Sequence, residues 1–268
     1  MMRTIKPSIL YKYKSASSEE DMKRIEEILV DKQLFFPNLK QLNDPMEACS
    51  AKISLQISGS GYHKEAGMVH PIVEDIQEEF GIMSFTAIPN MPIMWAHYGN
   101  EYTGCCIVFS TEDTFSCIEP TIYSNLVFEI NASGISTEEL RKIIRAAIFY
   151  KNTDWAYENE WRYVEHRESE KISLGENDIK GLIVGEKMDE DKQRQIEKIC
   201  KTEGFPCFRT YVMRENRTIG VVPIEYKQTF ITHAEISKYM ENKKLENRCV
   251  DGELELFNTL NSNIGWAQ

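Results

Sequence analysis

Long apolar runs are missing from this chain of 268 residues. The longest, "CCIVF" at Cys105–Phe109 and "GLIV" at Gly181–Val184, fall far short of the roughly 20 residues that span a bilayer, so no membrane is expected. The first fifteen residues hold no apolar segment followed by a small-residue cleavage site, and the expectation is a cytoplasmic protein. Positive charge is scarce: 31 Lys and Arg against 42 Asp and Glu leave a net charge of −11. That balance disfavours nucleic-acid binding by charge alone. A local basic patch stays open, to which Lys12, Lys151 and Arg162 are the expected contributors. The seven cysteines are odd in number, scattered and without a CxxC pair, which argues against a disulfide scaffold or a zinc site. They read as buried small hydrophobes in a reducing compartment, with a reactive thiol at Cys105 or Cys106 as the alternative. His63 and His70 flank no matching ligands, and no metal is expected. Neither a Gly-rich dinucleotide fingerprint nor a P-loop, HExxH or GxSxG occurs. Repeats and Gly/Ser linkers are absent too, so no boundary is expected before about residue 228, giving one domain over 1–228 and a helical extension over 229–268.

What is present alternates between strand and helix signals. "SILYKYKS" has the two-residue period of a strand, with Ile9, Tyr11 and Tyr13 on one side. Ser17 with Glu20 has the spacing of a capping box ahead of a helical stripe of Met22, Ile25, Ile28 and Leu29. Residues 59–79 read as helical in their acidic second half, and "GIMSFT" as a strand. Asn90 is the expected cap of a two-turn helix with Pro92 in its first turn and Gly99 at its end. "TGCCIVFS" reads as a buried strand and "TIYSNLVFEI" as an edge strand. Ser136 and Glu139 open another helix, with Leu140, Ile143, Ile144, Ala147 and Ile148 on its apolar side. A strand, a helix and a strand with a Gly at each junction follow over 179–213. Thr232 and Glu235 then cap one long C-terminal helix. Strands and helices mixed without strict alternation indicate an α+β fold with a mixed, mainly antiparallel sheet and flanking helices.

Chemistry concentrates in two stretches. In "WAYENEWRYV", an extended chain places Glu158, Glu160 and Arg162 on one face and Tyr157 and Trp161 on the other. Two carboxylates and a guanidinium beside aromatic rings suit a nucleotide or sugar hydroxyl, or a metal; the plainer reading is a solvated face with a Glu–Arg pair. In "MWAHYGNEYTGCCIVF", His97 is either a structural histidine or, with Tyr98, the wall of a pocket. Trp95 reads first as core. Asn43, Asp44 and Glu47 lie in "LNDPMEA", which is either a self-capped turn or a carboxylate source for the same cleft. Lys12 between Tyr11 and Tyr13 matters only if its strand borders that cleft.

Six blocks in one order, "LYKYKS" (10–15), "LNDPMEA" (42–48), "MSFT" (83–86), "MWAHYGNEYTGCCIVF" (94–109), "WAYENEWR" (155–162) and "IKGLIVG" (179–185), resemble the bacterial domain of unknown function 2971 family. The resemblance extends over about residues 8–225; Met46 and Thr86 stand where Phe and Ser are usual. Members of that family are frequent near phage-defence and toxin loci, which implies an effector of that kind and a defence-system or antitoxin partner. The layout is also similar to ADP-ribosyltransferases. That similarity implies an ADP-ribosyltransferase-like fold with NAD as a substrate. In it Tyr11, Lys12 and Tyr13 border the nicotinamide-side ribose, although Lys12 stands where His or Arg is usual. Tyr102, Trp95 and Ser84 or Tyr98 flank the ring, and Glu160 is the catalytic carboxylate, with His97 and Tyr98 beside it. Arg162 either serves the diphosphate or holds Glu160 in place. Cleaving the nicotinamide bond develops oxocarbenium character, which a carboxylate near the ribose stabilises.

The expectation is therefore a phage-defence or toxin effector that transfers ADP-ribose to nucleic acid or protein, from a cleft of residues 11–13, 43–47, 84–86, 95–104 and 157–162. The alternatives are a nuclease with Asp44, Glu47, Glu158 and Glu160 around Mg²⁺, and a non-catalytic nucleotide sensor in a defence complex.

Overall fold

A computed structural model describes residues 5–44, 51–54, 71–126, 128–131, 134–167, 169–213, 217–226 and 232–262. Glu47, Cys49, His63 and His70 fall outside them. In chain order the elements are β1 (Ile9–Lys14), α1 (Glu19–Leu29), β2 (Gln33–Phe35), β3 (Ala51–Ser54), α2 (Pro71–Glu78), β4 (Phe80–Thr86) and α3 (Pro92–His97). Then come β5 (Cys105–Ser110), β6 (Glu119–Pro120), β7 (Ile122–Tyr123), β8 (Phe128–Asn131), α4 (Thr137–Ala147) and β9 (Tyr150–Lys151). After a 3-10 turn (Thr153–Glu158) follow β10 (Glu160–His166), β11 (Lys171–Ser173), β12 (Ile179–Val184), α5 (Glu190–Glu203), β13 (Cys207–Met213), β14 (Thr218–Pro223), α6 (His233–Leu245) and α7 (Glu253–Asn261). The fold is α+β with mixed, mainly antiparallel strand pairing, as the element pattern implied. Among the described residues no helix is long and apolar enough to cross a membrane.

The chain folds as two compact units, Met1–Lys6 with Phe35–Phe85 and Cys117–Ile172, and Pro7–Leu34 with Thr86–Ser116 and Ser173–Gln268. In the first, β10 lies between β4 and β6. Apolar faces at helical spacing on α2 (Val73, Ile76) and α4 (Leu140, Ile144) close over Phe80, Ile82 and Val164 to form its core. The expected edge strand over 121–130 is instead two short parallel pairings, β7 with β9 and β8 with β3. The 3-10 turn ends in Asn159, whose left-handed φ of 44° turns the chain straight into β10. Glu158 thus lies on that turn, a correction to its expected place on the strand.

In the second unit the strand order is β14-β13-β12-β5-β1. β5 is buried at all six positions, as expected for a continuous apolar strand with neighbours on both edges. It pairs antiparallel with β1, Tyr13 opposite Cys106 and Lys14 opposite Cys105, and with β12. β12, α5 and β13 form the expected strand–helix–strand unit, its strands parallel and α5 stopped by Gly204 in the left-handed region. Gly104 and Gly185 permit the closest backbone approaches: a Cβ there would stand 2.2 Å from the Lys14 carbonyl oxygen and 2.1 Å from that of Tyr102. Cys105, Cys106, Cys200 and Cys207 are buried, Cys117 is exposed and Cys249 lies between. Burial pushes the Cys105 thiol up to about 12, away from a reactive thiolate.

Local signals err by small, explicable amounts. The first capping box uses Ser18 and Asp21, not Ser17 and Glu20. Asp21 is short enough to accept from the Ser15 and Ser17 hydroxyls at 2.8 and 2.6 Å as well as from the Ser18 N–H, while Glu20 turns outward to Arg24 at 3.0 Å. The cap of α3 is Met91 rather than Asn90, because its carbonyl takes the first helical bonds, from Met94 and Trp95. The tail holds two helices, not one. Lys243 ties them together through Glu253, at 2.5 Å, and also reaches Glu225, at 2.7 Å. The Asn261 side-chain amide pairs with both backbone groups of Val221 on β14, at 3.1 and 2.9 Å.

Candidate functional site: a buried carboxylate–cation cluster

The first unit gathers four charged side chains in its interior. β9 carries Lys151, the 3-10 turn delivers Glu158, and β10 presents Glu160 and Arg162 on one face by strand alternation. The Lys151 ammonium donates to Glu158 Oε2 at 2.6 Å and Glu160 Oε2 at 3.0 Å, and lies 5.1 Å from the centre of the Trp155 ring. The Arg162 guanidinium grips Glu160 with both arms, Nε to Oε1 and Nη2 to Oε2, each at 2.9 Å, and also donates to the Ile148 carbonyl. All four are buried, Arg162 completely. Two carboxylates against two cations leave the cluster formally neutral, the condition under which buried charge is tolerated.

Burial alone pushes the Glu160 carboxyl up. The Arg162 and Lys151 charges, with hydrogen bonds from Arg162 and the Ser84 hydroxyl, outweigh it and hold the group at about 2. Glu160 is thus a permanent anion of fixed orientation, unsuited to general acid work. It suits electrostatic stabilisation of positive charge developing on a bound group. Its backbone is fixed as well: its N–H donates to the Tyr123 hydroxyl at 2.8 Å and its carbonyl accepts from the Thr121 N–H at 2.9 Å. Ser84 and Tyr123, which both meet Glu160, are half-buried.

Arg162 is therefore the residue that holds Glu160. Lys151, expected in a basic groove, is buried on two carboxylates instead. Among the described residues no group of three or more metal-ligating side chains gathers, so Asp44, Glu158 and Glu160 do not form the carboxylate ring of the nuclease reading. Asn43 is exposed and Asp44 half-buried in the turn after the 3-10 helix Leu39–Gln41.

The second unit collects the aromatic residues. Trp95 is completely buried, with its Nε1 donating to the Pro89 carbonyl at 2.8 Å. Tyr13 meets its ring edge-on at 5.0 Å and Tyr102 stacks on it at 6.0 Å, so Trp95 is core. Tyr102 is half-buried and carries the Lys187 ammonium 5.7 Å from its ring centre. It ends a run of three left-handed residues, Asn100, Glu101 and Tyr102, with φ of 47°, 55° and 73°. Such backbone is unfavourable outside glycine and persists where surrounding bonds impose it. Here the Asn100 side chain binds Thr103 at 2.7 Å, and Lys187 N–H binds the Tyr102 carbonyl at 3.0 Å. His97 is exposed, its ring 6.2 Å from that of Tyr98. Tyr11 and Tyr13 are buried on one face of β1 and Lys12 points from the other, so the three do not present one surface.

Three partners of Glu160 escaped the sequence reading: Lys151, Tyr123 and Thr121. Lys151 could have been suspected from its place in "YKNTDWAYENE", a lysine just ahead of two close carboxylates. Nothing local marked the other two.

Fold and cluster together define a mixed α+β chain with a charge-balanced carboxylate site on its strands. Residues 94–163 match the model of the family described as "Protein of unknown function (DUF2971)". The match contains the Met94–Phe109 and Trp155–Arg162 blocks on which the resemblance was read. No curated protein and no solved structure matches the chain.

Proposed function

We propose that the protein is a bacterial effector of the phage-defence or toxin kind that transfers ADP-ribose from NAD to a nucleic-acid or protein acceptor, with Glu160 as its catalytic carboxylate. The observation that carries this reading is the Glu160 carboxylate, buried yet kept ionised by Arg162, Lys151 and Ser84. In the proposed step the bond from ribose C1′ to the nicotinamide nitrogen breaks, its electron pair leaves with neutral nicotinamide, and the ribose gains oxocarbenium character. The fixed anion stabilises that charge, and an acceptor nucleophile forms the new bond at C1′ and loses its proton to solvent. An oriented charge of this kind contributes on the order of 3 kcal/mol, about a hundredfold in rate.

The test follows nicotinamide release from NAD by chromatography, with DNA, RNA and protein supplied as acceptors. Release by the wild-type chain, cut about a hundredfold or more in Glu160→Gln that retains its circular dichroism, is the expected result. A wild-type chain that leaves NAD intact with every acceptor overturns the proposal.

A further inference from the structure

The buried lysines of this chain sit on carboxylates: Lys151 on Glu158 and Glu160, Lys243 on Glu225 and Glu253. Half-buried Lys192 donates to the Ala16 and Ser17 carbonyls at 2.6 and 3.0 Å. Lys14 has no such acceptor among the described residues. It is the last residue of β1, half-buried, and stands opposite Cys105 in the antiparallel ladder. Opposed residues project to the same face, so Lys14 shares that of Cys105, away from Tyr11 and Tyr13. Asp21 and Arg24 of α1 act on Lys14, and Cys200 of α5 acts on Cys105, which makes this the face that the packed pair α1 and α5 covers. The near acid, Asp21, instead accepts from the Ser15 and Ser17 hydroxyls at 2.8 and 2.6 Å and from the Ser17 N–H at 3.0 Å. An ammonium packed under two helices without an acceptor is costly to keep charged. Burial, aided by the Arg24 charge, accordingly pulls Lys14 below the ordinary lysine value, against the opposing effects of Cys105 and Asp21. Burial also pushes the Cys105 thiol up to about 12, so that group keeps its proton. The electron pair available at this place is on nitrogen, not on sulfur.

We propose that Lys14 is an imine-forming site, whose amine condenses with the carbonyl of a small aldehyde. The Nζ electron pair forms the bond to the carbonyl carbon. Both amine hydrogens then leave with the carbonyl oxygen as water, and a C=N bond remains; no oxidant or reductant enters. Desolvated lysines without a counter-charge are the ones that serve as carbonyl nucleophiles. Half-burial meets both needs, because part of the residue stays open to a ligand from solvent while the packing around it disfavours the charged form. The site is independent of Glu160, which belongs to the other unit.

Reductive trapping tests it. The wild-type chain is incubated at neutral pH with glyceraldehyde and cyanoborohydride, and peptide mapping by mass spectrometry follows the modification of each lysine with time. Lys23, exposed on α1, is the internal reference. In the folded chain Lys14 is expected to react faster than Lys23 by on the order of tenfold or more. The lead disappears in urea, where the packing that discharges the amine is lost. In Lys14→Arg the adduct at that position is absent and the rate at Lys23 is unchanged. Lys14 reacting no faster than Lys23 in the folded chain, or keeping its lead in urea, overturns the proposal. Both readings come from the wild-type protein, so the result stands whether or not the variant folds.

Discussion

Replacing Arg162 by Met keeps an unbranched stem for packing and removes the grip on Glu160. Arg162 is wholly buried and donates to each Glu160 oxygen and to the Ile148 carbonyl. Without it, buried Glu160 retains one cation, Lys151, which it shares with Glu158. Breaking one side of a buried ion pair costs about 3–5 kcal/mol, mostly the penalty of the stranded charge. Two lost charge-assisted hydrogen bonds, at about 1.5–3 kcal/mol each, give a similar figure. Against a total stability of about 5–15 kcal/mol, this is a third or more of what holds a typical chain folded. Urea unfolding read by tryptophan fluorescence is a suitable assay, since Trp155 and Trp161 both adjoin the cluster. The double variant Arg162→Met with Glu160→Leu is the control: with both charges gone, Lys151 and Glu158 remain as one balanced pair, and part of the loss returns. Arg162→Met within about 1 kcal/mol of the wild type, or a double variant losing the full sum of the two singles, refutes the account of the cluster as mutually dependent charges.

Acid should act through the same carboxylate. Its folded value of about 2 lies below the unfolded 4.5, so its contribution is fully present above about pH 4.5 and is lost as pH falls toward 2; that difference corresponds to about 3 kcal/mol. Unfolding midpoints across that window should fall less steeply in Glu160→Gln than in the wild type, and parallel curves contradict the assignment. Gly104→Ala sets a Cβ 2.2 Å from the Lys14 carbonyl and 2.9 Å from that of Gly99. Neither backbone group yields easily, so a loss of about 3 kcal/mol and a melting temperature lower by about 6 °C or more are expected; scanning calorimetry showing no shift removes that close approach from the picture.

The sequence by itself determined what depends on neighbours a few residues away. Ser136 with Glu139 and Thr232 with Glu235 cap their helices where the spacing says, since a capping box closes within one turn. β1, β5 and the β12–α5–β13 unit follow from periodicity and from glycines at their junctions. The shared face of Glu160 and Arg162 was legible for the same reason, the two-residue period of a strand. Misplacements of one residue, at Ser18 and Met91, arose where neighbours offered nearly equal caps and side-chain reach or carbonyl position chose between them.

Only the tertiary structure decided that Arg162 and Lys151 are interior. Burial of a charge is set by what packs over it, and Ser84, Thr121 and Tyr123, which meet Glu160, come from parts of the chain far from β10. Thr121 and Tyr123 lie 39 and 37 residues before Glu160. Their meeting depends on the register between β6 and β10, and a slip of one residue would turn Thr121 to the opposite face. Such pairing is a property of the folded sheet, because each ladder bond gains its worth only after the loops between the strands have closed.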